Sequence, residues 1–161
     1  MGTALITGAS RGIGREVART LASEGWHVLS GVRDPKSAPP GTQAEAIEME
    51  DPESIEALAK RLRARNQRLD ALVNNAGVYS GPARHIWDVN VLGPLLLTRA
   101  LEPLLAPNAR VVMVTSSLGQ LSAQPPAWSS VCQIQSCHSL RSSAWPRKPR
   151  AATGRARRRS P

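Results

Sequence analysis

The stretch that most limits what this chain can fold into lies close to its start: Thr7-Gly8-Ala9-Ser10-Arg11-Gly12-Ile13-Gly14, directly after the apolar run Ala4-Leu5-Ile6. A short apolar run reads as a buried strand, and after the glycines Ile13, Val17 and Leu21 recur at helical spacing until Gly25, where a left-handed helix cap belongs. Strand, glycine turn and helix thus follow in order. Glycine suits such a turn because positive φ is free, a phosphate can approach bare backbone, and the helix can pack tightly on the strand. The start of the helix then offers unpaired N–H groups to an anion.

The spacing, Gly-x-x-x-Gly-x-Gly, differs from the commoner Gly-x-Gly-x-x-Gly dinucleotide fingerprint. Thr-Gly-x-x-x-Gly-Ile-Gly resembles the cofactor turn of the short-chain dehydrogenase/reductase family, and the resemblance implies that Gly8, Ser10, Arg11, Gly12, Ile13 and Gly14 meet the cofactor. A second strand is predicted at residues 27–32, ending in Val32-Arg33-Asp34. In dinucleotide folds the residue at this tip meets the adenosine ribose. A guanidinium there favours a 2′-phosphate by charge and bidentate geometry, so Arg33, helped by Arg11, points to NADP, while Asp34 keeps NAD open.

A Pro-, Ser- and Gly-rich loop leads to a third apolar stretch, residues 44–49. Glu48 and Met49 resemble the acid-plus-apolar pair that meets the adenine ring in the family, although Glu48 can equally be a solvated acid at a strand end. Asp51 and Pro52 make an N-cap and a first helical residue, and Ile55, Leu58, Ala59 and Leu62 then form one apolar helix face. A fourth strand at residues 71–73 runs into Asn74-Asn75-Ala76-Gly77. Adjacent asparagines at a strand end can bond the backbone of neighbouring strands, and small residues let a flat cofactor lie close. The motif resembles the family's second signature, with Asn75, Ala76 and Gly77 as cofactor contacts.

One long helix is predicted over residues 84–105, kinked at Pro94, which removes an i to i−4 hydrogen bond. By resemblance Asn90 sits at that kink and orders a water in a proton relay; read from the residues alone, it is a polar group capping the break. A fifth strand at residues 111–114 ends in Thr115-Ser116-Ser117-Leu118-Gly119, where the family places its catalytic serine; alignment on the glycine selects Ser116. The fold expected from these elements is an α/β doubly wound parallel sheet, Rossmann-like and incomplete, with strand order 3-2-1-4-5. The resemblance covers residues 1 to about 122.

Beyond that point the pattern departs from the family, in which a tyrosine follows the serine with a lysine four residues later. Ser129 and Gln133 fall near those positions, and the only tyrosine of the chain is Tyr79. The net charge of +9 is also uneven: residues 1–122 hold 13 Lys and Arg against 12 Asp and Glu, whereas residues 123–161 hold 8 Lys and Arg and no acid. This Pro-, Ser- and Arg-rich segment shows no sustained period and is expected to be a disordered basic tail or the product of a reading-frame change near codon 123. Its arginines invite a nucleic-acid reading, which the lack of interleaved aromatics beyond Trp128 and Trp145 and of a binding motif disfavours. Cys132 and Cys137 lack a second ligand pair and imply no metal.

No apolar run approaches the ~18 residues of a membrane span, and the N-terminus lacks a signal pattern, so a cytoplasmic protein is expected. The activity implied by resemblance is hydride transfer between NADP and a small carbonyl or alcohol, impaired here by the missing Tyr-x-x-x-Lys; the alternative is a non-catalytic NADP-binding module. Intact relatives are implied to be homo-oligomeric. A fifth strand left at the edge of the sheet would expose Val111, Val112 and Val114 and favour association.

Overall fold

The computed structural model describes residues 2–116. The tail expected over residues 123–161, with its cysteines and arginine run, lies outside the described residues. Contacts divide the chain after Thr115, and the compact unit Met1–Thr115 holds every strand and helix discussed below.

Each βα step follows from local chemistry. β1 (Thr3–Thr7) enters the glycine turn, and α1 (Gly12–Ser23) follows it. Gly25, at φ 84°, closes α1: its N–H donates to the Ala22 carbonyl, and the Trp26 N–H donates to that of Leu21. This left-handed closure takes up carbonyls that the helix end would otherwise leave free. β2 (His27–Val32) ends at Arg33, and the Asp34 side chain then accepts the Lys36 N–H to cap a short 3₁₀ turn, Pro35–Ser37. α2 (Pro52–Ala64) starts on Asp51, whose carboxylate accepts the Glu53 N–H at 2.9 Å, and buries Ile55, Leu58, Ala59 and Leu62.

β3 (Gln43–Ala46), β4 (Leu69–Asn74) and β5 (Leu105–Met113) complete a five-stranded sheet in the order β3-β2-β1-β4-β5, every pairing parallel. The sheet is the doubly wound arrangement expected from the sequence. Alternation along the strands splits the core in two. Leu5, Leu29 and Leu72 join Ile55, Leu58, Leu97 and Leu101 on one face, while Ala4, Ile6, Val28 and Val73 pack with Ala18 and Val17 of α1 on the other.

Three elements differ from expectation. The third strand stops at Ala46 rather than reaching residue 49, because the chain turns there to bury Ile47 and Met49 in the larger cluster. The predicted helix at 84–105 is broken into α3 (Ala83–Trp87), a π turn (Asp88–Leu92), α4 (Gly93–Leu101) and a 3₁₀ turn (Glu102–Leu104). Pro94 has no N–H to offer the preceding turn, and a wide turn upstream of it absorbs the mismatch. Leu105 already belongs to β5, which begins six residues before the predicted 111 and pairs Leu69 with Leu105 and Ala71 with Arg110. Two steps along β4 therefore oppose five along β5, and the intervening residues, Pro107 among them, bulge out of the ladder.

Candidate functional site at the carboxyl ends of β1 and β4

Because all strands are parallel, the residues that follow β1, β2, β3 and β4 emerge along one edge of the sheet, where such folds hold their ligands. The order reverses between β1 and β4, and there the two tips are bound together. Thr7 is fully buried, and its hydroxyl oxygen accepts the N–H groups of both Asn75 and Ala76 at 3.0 Å while its own proton reaches the Val73 carbonyl at 3.4 Å. In return the Asn75 side-chain amide donates to the Thr7 carbonyl at 2.9 Å and to that of Gly8 at 3.4 Å.

The glycines owe their identity to this junction. Gly8 has φ 68°, and a Cβ on it would lie 2.8 Å from the Ala76 Cα. A Cβ on Gly14 would collide with the Asn75 amide and lie 2.6 Å from the Gly8 carbonyl oxygen. Gly12 is different: its φ of 57° also needs glycine, yet a Cβ there would meet nothing within 4 Å. The turn is thus packed hard against β4 at Gly8 and Gly14 and open at Gly12. No side chain caps α1 at Arg11, so the first amides of this 12-residue helix, which have no intrahelical acceptor, are left without a side-chain cap next to Gly12. Ile13 is 66% exposed beside it, Arg11 is exposed, and the Ser10 carbonyl is held by the Arg15 guanidinium at 3.1 Å.

The other sequence-derived candidates are placed as follows. Arg33 is exposed just past β2. Glu48 is half-buried with its N–H on the Ser54 hydroxyl at 2.9 Å, whereas Met49 is buried in the larger cluster. Ala76 is half-buried and Gly77 exposed, and a Cβ on Gly77 would lie 3.4 Å from the Asn90 side-chain oxygen. Asn90 lies in the π turn, where it is fastened at both ends of its carboxamide to one residue: it accepts the Val78 N–H at 2.8 Å and donates to the Val78 carbonyl at 2.7 Å. Ser116 is exposed and falls after the division at Thr115.

Two contributors are absent from the sequence-derived set. Thr7 is the hub of the junction; its signal is a polar residue ending a fully buried run, since a buried hydroxyl demands partners. His85 of α3 pairs through Nδ1 with Glu50 at 2.5 Å, tying the segment after Gly77 to the turn that carries Glu48. Nothing in the local pattern marks that pair.

A set of uncapped amides, three positive or crowded glycines and an adjoining cation is chemistry for a phosphate-bearing ligand. The sequence model for short chain dehydrogenases matches residues 2–130. The chain belongs to the short chain dehydrogenase family. Retinol dehydrogenase 5 of Mus musculus is 36% identical to it over 138 residues, covering 73% of this chain and 43% of that protein. A metagenomic short-chain oxidoreductase solved in complex with NADP is 34% identical, with a TM-score of 0.57 over 63% of this chain and 55% of that one. NADPH-bound carbonyl reductase from chicken fatty liver aligns with a TM-score of 0.66 and 26% identity, over 76% of this chain and 62% of that one. The chain spans about half the length of curated relatives such as these, between 43% and 59%. Among the described residues no helix is long and apolar enough to cross a membrane, and no cluster of His, Cys, Asp and Glu has the arrangement of a metal site.

Proposed function

We propose that this chain is the cofactor-binding half of a short-chain oxidoreductase and takes NADP in preference to NAD. The observation that carries the reading is the Thr7–Asn75 junction with the opening at Gly12: backbone can approach a pyrophosphate there, uncapped amides of α1 lie next to it, and Asn75 and Ala76 wall the far side. The residues therefore fit a dinucleotide. Gly8, Ser10, Gly12, Ile13 and Gly14 would cradle its phosphates, Ala76 and Gly77 would lie along the ribose, and Glu48 with the backbone of Met49 would border the adenine. Arg33 and Arg11, both exposed and cationic, favour a 2′-phosphate.

When bound, such a cofactor supplies hydride chemistry at a carbonyl or alcohol. The chain's own contribution is to hold it, with Asn90 fastening the β4-to-α3 segment through Val78; the family resemblance gives Ser116 the role of donor to the substrate oxygen. The Tyr-x-x-x-Lys pair that would protonate that oxygen does not occur in this sequence, where Tyr79, the only tyrosine, has no lysine four residues on. Loss of a positioned general acid costs about 10²–10⁴-fold, so turnover by this chain is expected to be weak. That same absence favours a second reading, a dinucleotide-binding module without catalysis; abolition of any aldehyde or ketone turnover by Ser116→Ala would count against it.

Titration of the protein with NADPH, followed by nicotinamide fluorescence, is expected to saturate. Absence of a saturable change would remove the cofactor reading altogether. Arg33→Ala is expected to weaken NADPH by about tenfold, the order of one charge-assisted hydrogen bond, and to leave NADH within about twofold. Equal losses for both dinucleotides would refute the preference.

A further inference from the structure

Arg15 is the fourth residue of α1 and half-buried, and a cation so near the start of a helix opposes the helix dipole. One turn on, Arg19 pairs with Glu16 at 3.6 Å, but among the described residues no carboxylate pairs with Arg15. Its guanidinium turns back instead. Nη1 donates to the Ser10 carbonyl at 3.1 Å, and the backbone N–H of the same residue donates to the Arg11 carbonyl at 3.4 Å. One residue of the helix thus holds two consecutive carbonyls of the turn that leads into it.

The rest of that turn is fixed by other means. The N–H groups of Gly8 and Ala9 donate to the Gly31 carbonyl at 2.9 and 3.4 Å, and Gly14 is packed against Asn75. Between these anchors the chain is loosely surrounded: Arg11, Gly12 and Ile13 are exposed, a Cβ on Gly12 would meet nothing within 4 Å, and no side chain caps the helix at Arg11. An N-cap side chain would ordinarily fasten such an entry. Here the fastening comes from Arg15, reaching back from inside the helix.

The consequence follows from peptide geometry. A trans peptide is planar, and its N–H points opposite to its C=O. A Ser10 carbonyl drawn to Arg15 therefore turns the Arg11 N–H away from Arg15, and the Arg11 carbonyl does the same for the Gly12 N–H. We infer that Arg15 is a positioning residue that sets the Arg11 and Gly12 amides for the dinucleotide phosphates before any ligand arrives. This rests on the cofactor reading above. It separates Arg15 from Arg33: a held backbone serves the pyrophosphate common to both dinucleotides, whereas Arg33 addresses the 2′-phosphate that only one of them carries.

The test uses the full 161-residue chain and Arg15→Met, which keeps an unbranched stem and removes every donor. In the ligand-free protein, ¹⁵N relaxation is expected to show the Arg11 and Gly12 amides falling from an order parameter of about 0.85 to below about 0.6, with the urea midpoint unmoved. NADPH and NADH should each lose about tenfold in affinity, the order of one hydrogen bond from a charged donor, and their ratio should stay within about twofold. Arg15→Lys, which supplies one charged donor for the one carbonyl, should restore both order and affinity. Should Arg15→Met not fold, the wild-type chain decides: a guanidinium held at Ser10 should give separate Nη1 and Nη2 resonances, and averaged ones would overturn the inference. So would amides that stay ordered in Arg15→Met, a loss confined to NADPH, which would mean direct contact with the 2′-phosphate, or a lowered urea midpoint with disorder along the whole of α1. A wild-type chain with ordered amides and no saturable NADPH titration would instead remove the cofactor reading, and the positioning role with it.

Discussion

Glycine in the first turn serves two separable ends, and single-residue substitutions pull them apart. At Gly14 the constraint is internal: an added methyl group meets Asn75 and the Gly8 carbonyl, so Gly14→Ala should loosen the β1–β4 junction before any ligand arrives. At Gly12 the space is empty and only the positive φ opposes substitution, at a cost of about 1–2 kcal/mol for a left-handed alanine. Gly12→Ala is therefore expected to lose about that much and no more in urea, less than Gly14→Ala, yet to lose NADPH affinity as well, because its methyl group occupies the opening. Gly14→Ala is expected to lose both, and equal behaviour of the two in urea would contradict this division. Thr7→Val preserves shape but leaves the partly buried amides of Asn75 and Ala76 without their acceptor. A loss of about 1–3 kcal/mol per stranded amide is expected, read from the shift in denaturation midpoint. The glycines were legible in the sequence because their spacing is distinctive, whereas the role of Thr7 was not, since it depends on where Asn75, 68 residues away, comes to lie.

Among the elements, α2 is the one that local chemistry specifies most fully. Asp51 caps it, Pro52 starts it, and four apolar residues at helical spacing face the sheet. Asp51→Ala should cost about 1 kcal/mol by loss of that cap, measurable as a lowered thermal midpoint without loss of cofactor affinity. The segment 83–104 is the opposite case. Its helical periodicity and Pro94 foretold a bent helix, but the π turn at Asp88–Leu92 reflects tertiary demands. Gly93 is pressed so closely against the Met49 carbonyl that a Cβ would not fit, and Asn90 must reach Val78 with both ends of its carboxamide. β5 was foreseen only over its valines, because its first half carries Pro107 and an irregular ladder that no period-2 pattern announces.

For the molecule as a whole, ligand linkage gives a test that does not depend on any one side chain. A dinucleotide that binds the folded chain alone should raise unfolding free energy by about 2.7 kcal/mol at a hundredfold excess over its dissociation constant; an unfolding midpoint indifferent to NADPH would contradict the proposed function. The amino-acid sequence by itself determined the βα order, the glycine turn, the asparagine motif and the family, since these rest on short-range spacing of residues whose conformational or hydrogen-bonding needs are unusual. Only the tertiary structure decided how the tips of β1 and β4 are fastened, which glycine stays open, and where the long helix breaks. Those features arise from contacts between residues far apart in the chain, such as Thr7 with Asn75 and Gly93 with Met49, and the energy of such contacts depends on a geometry that exists only once the sheet has formed.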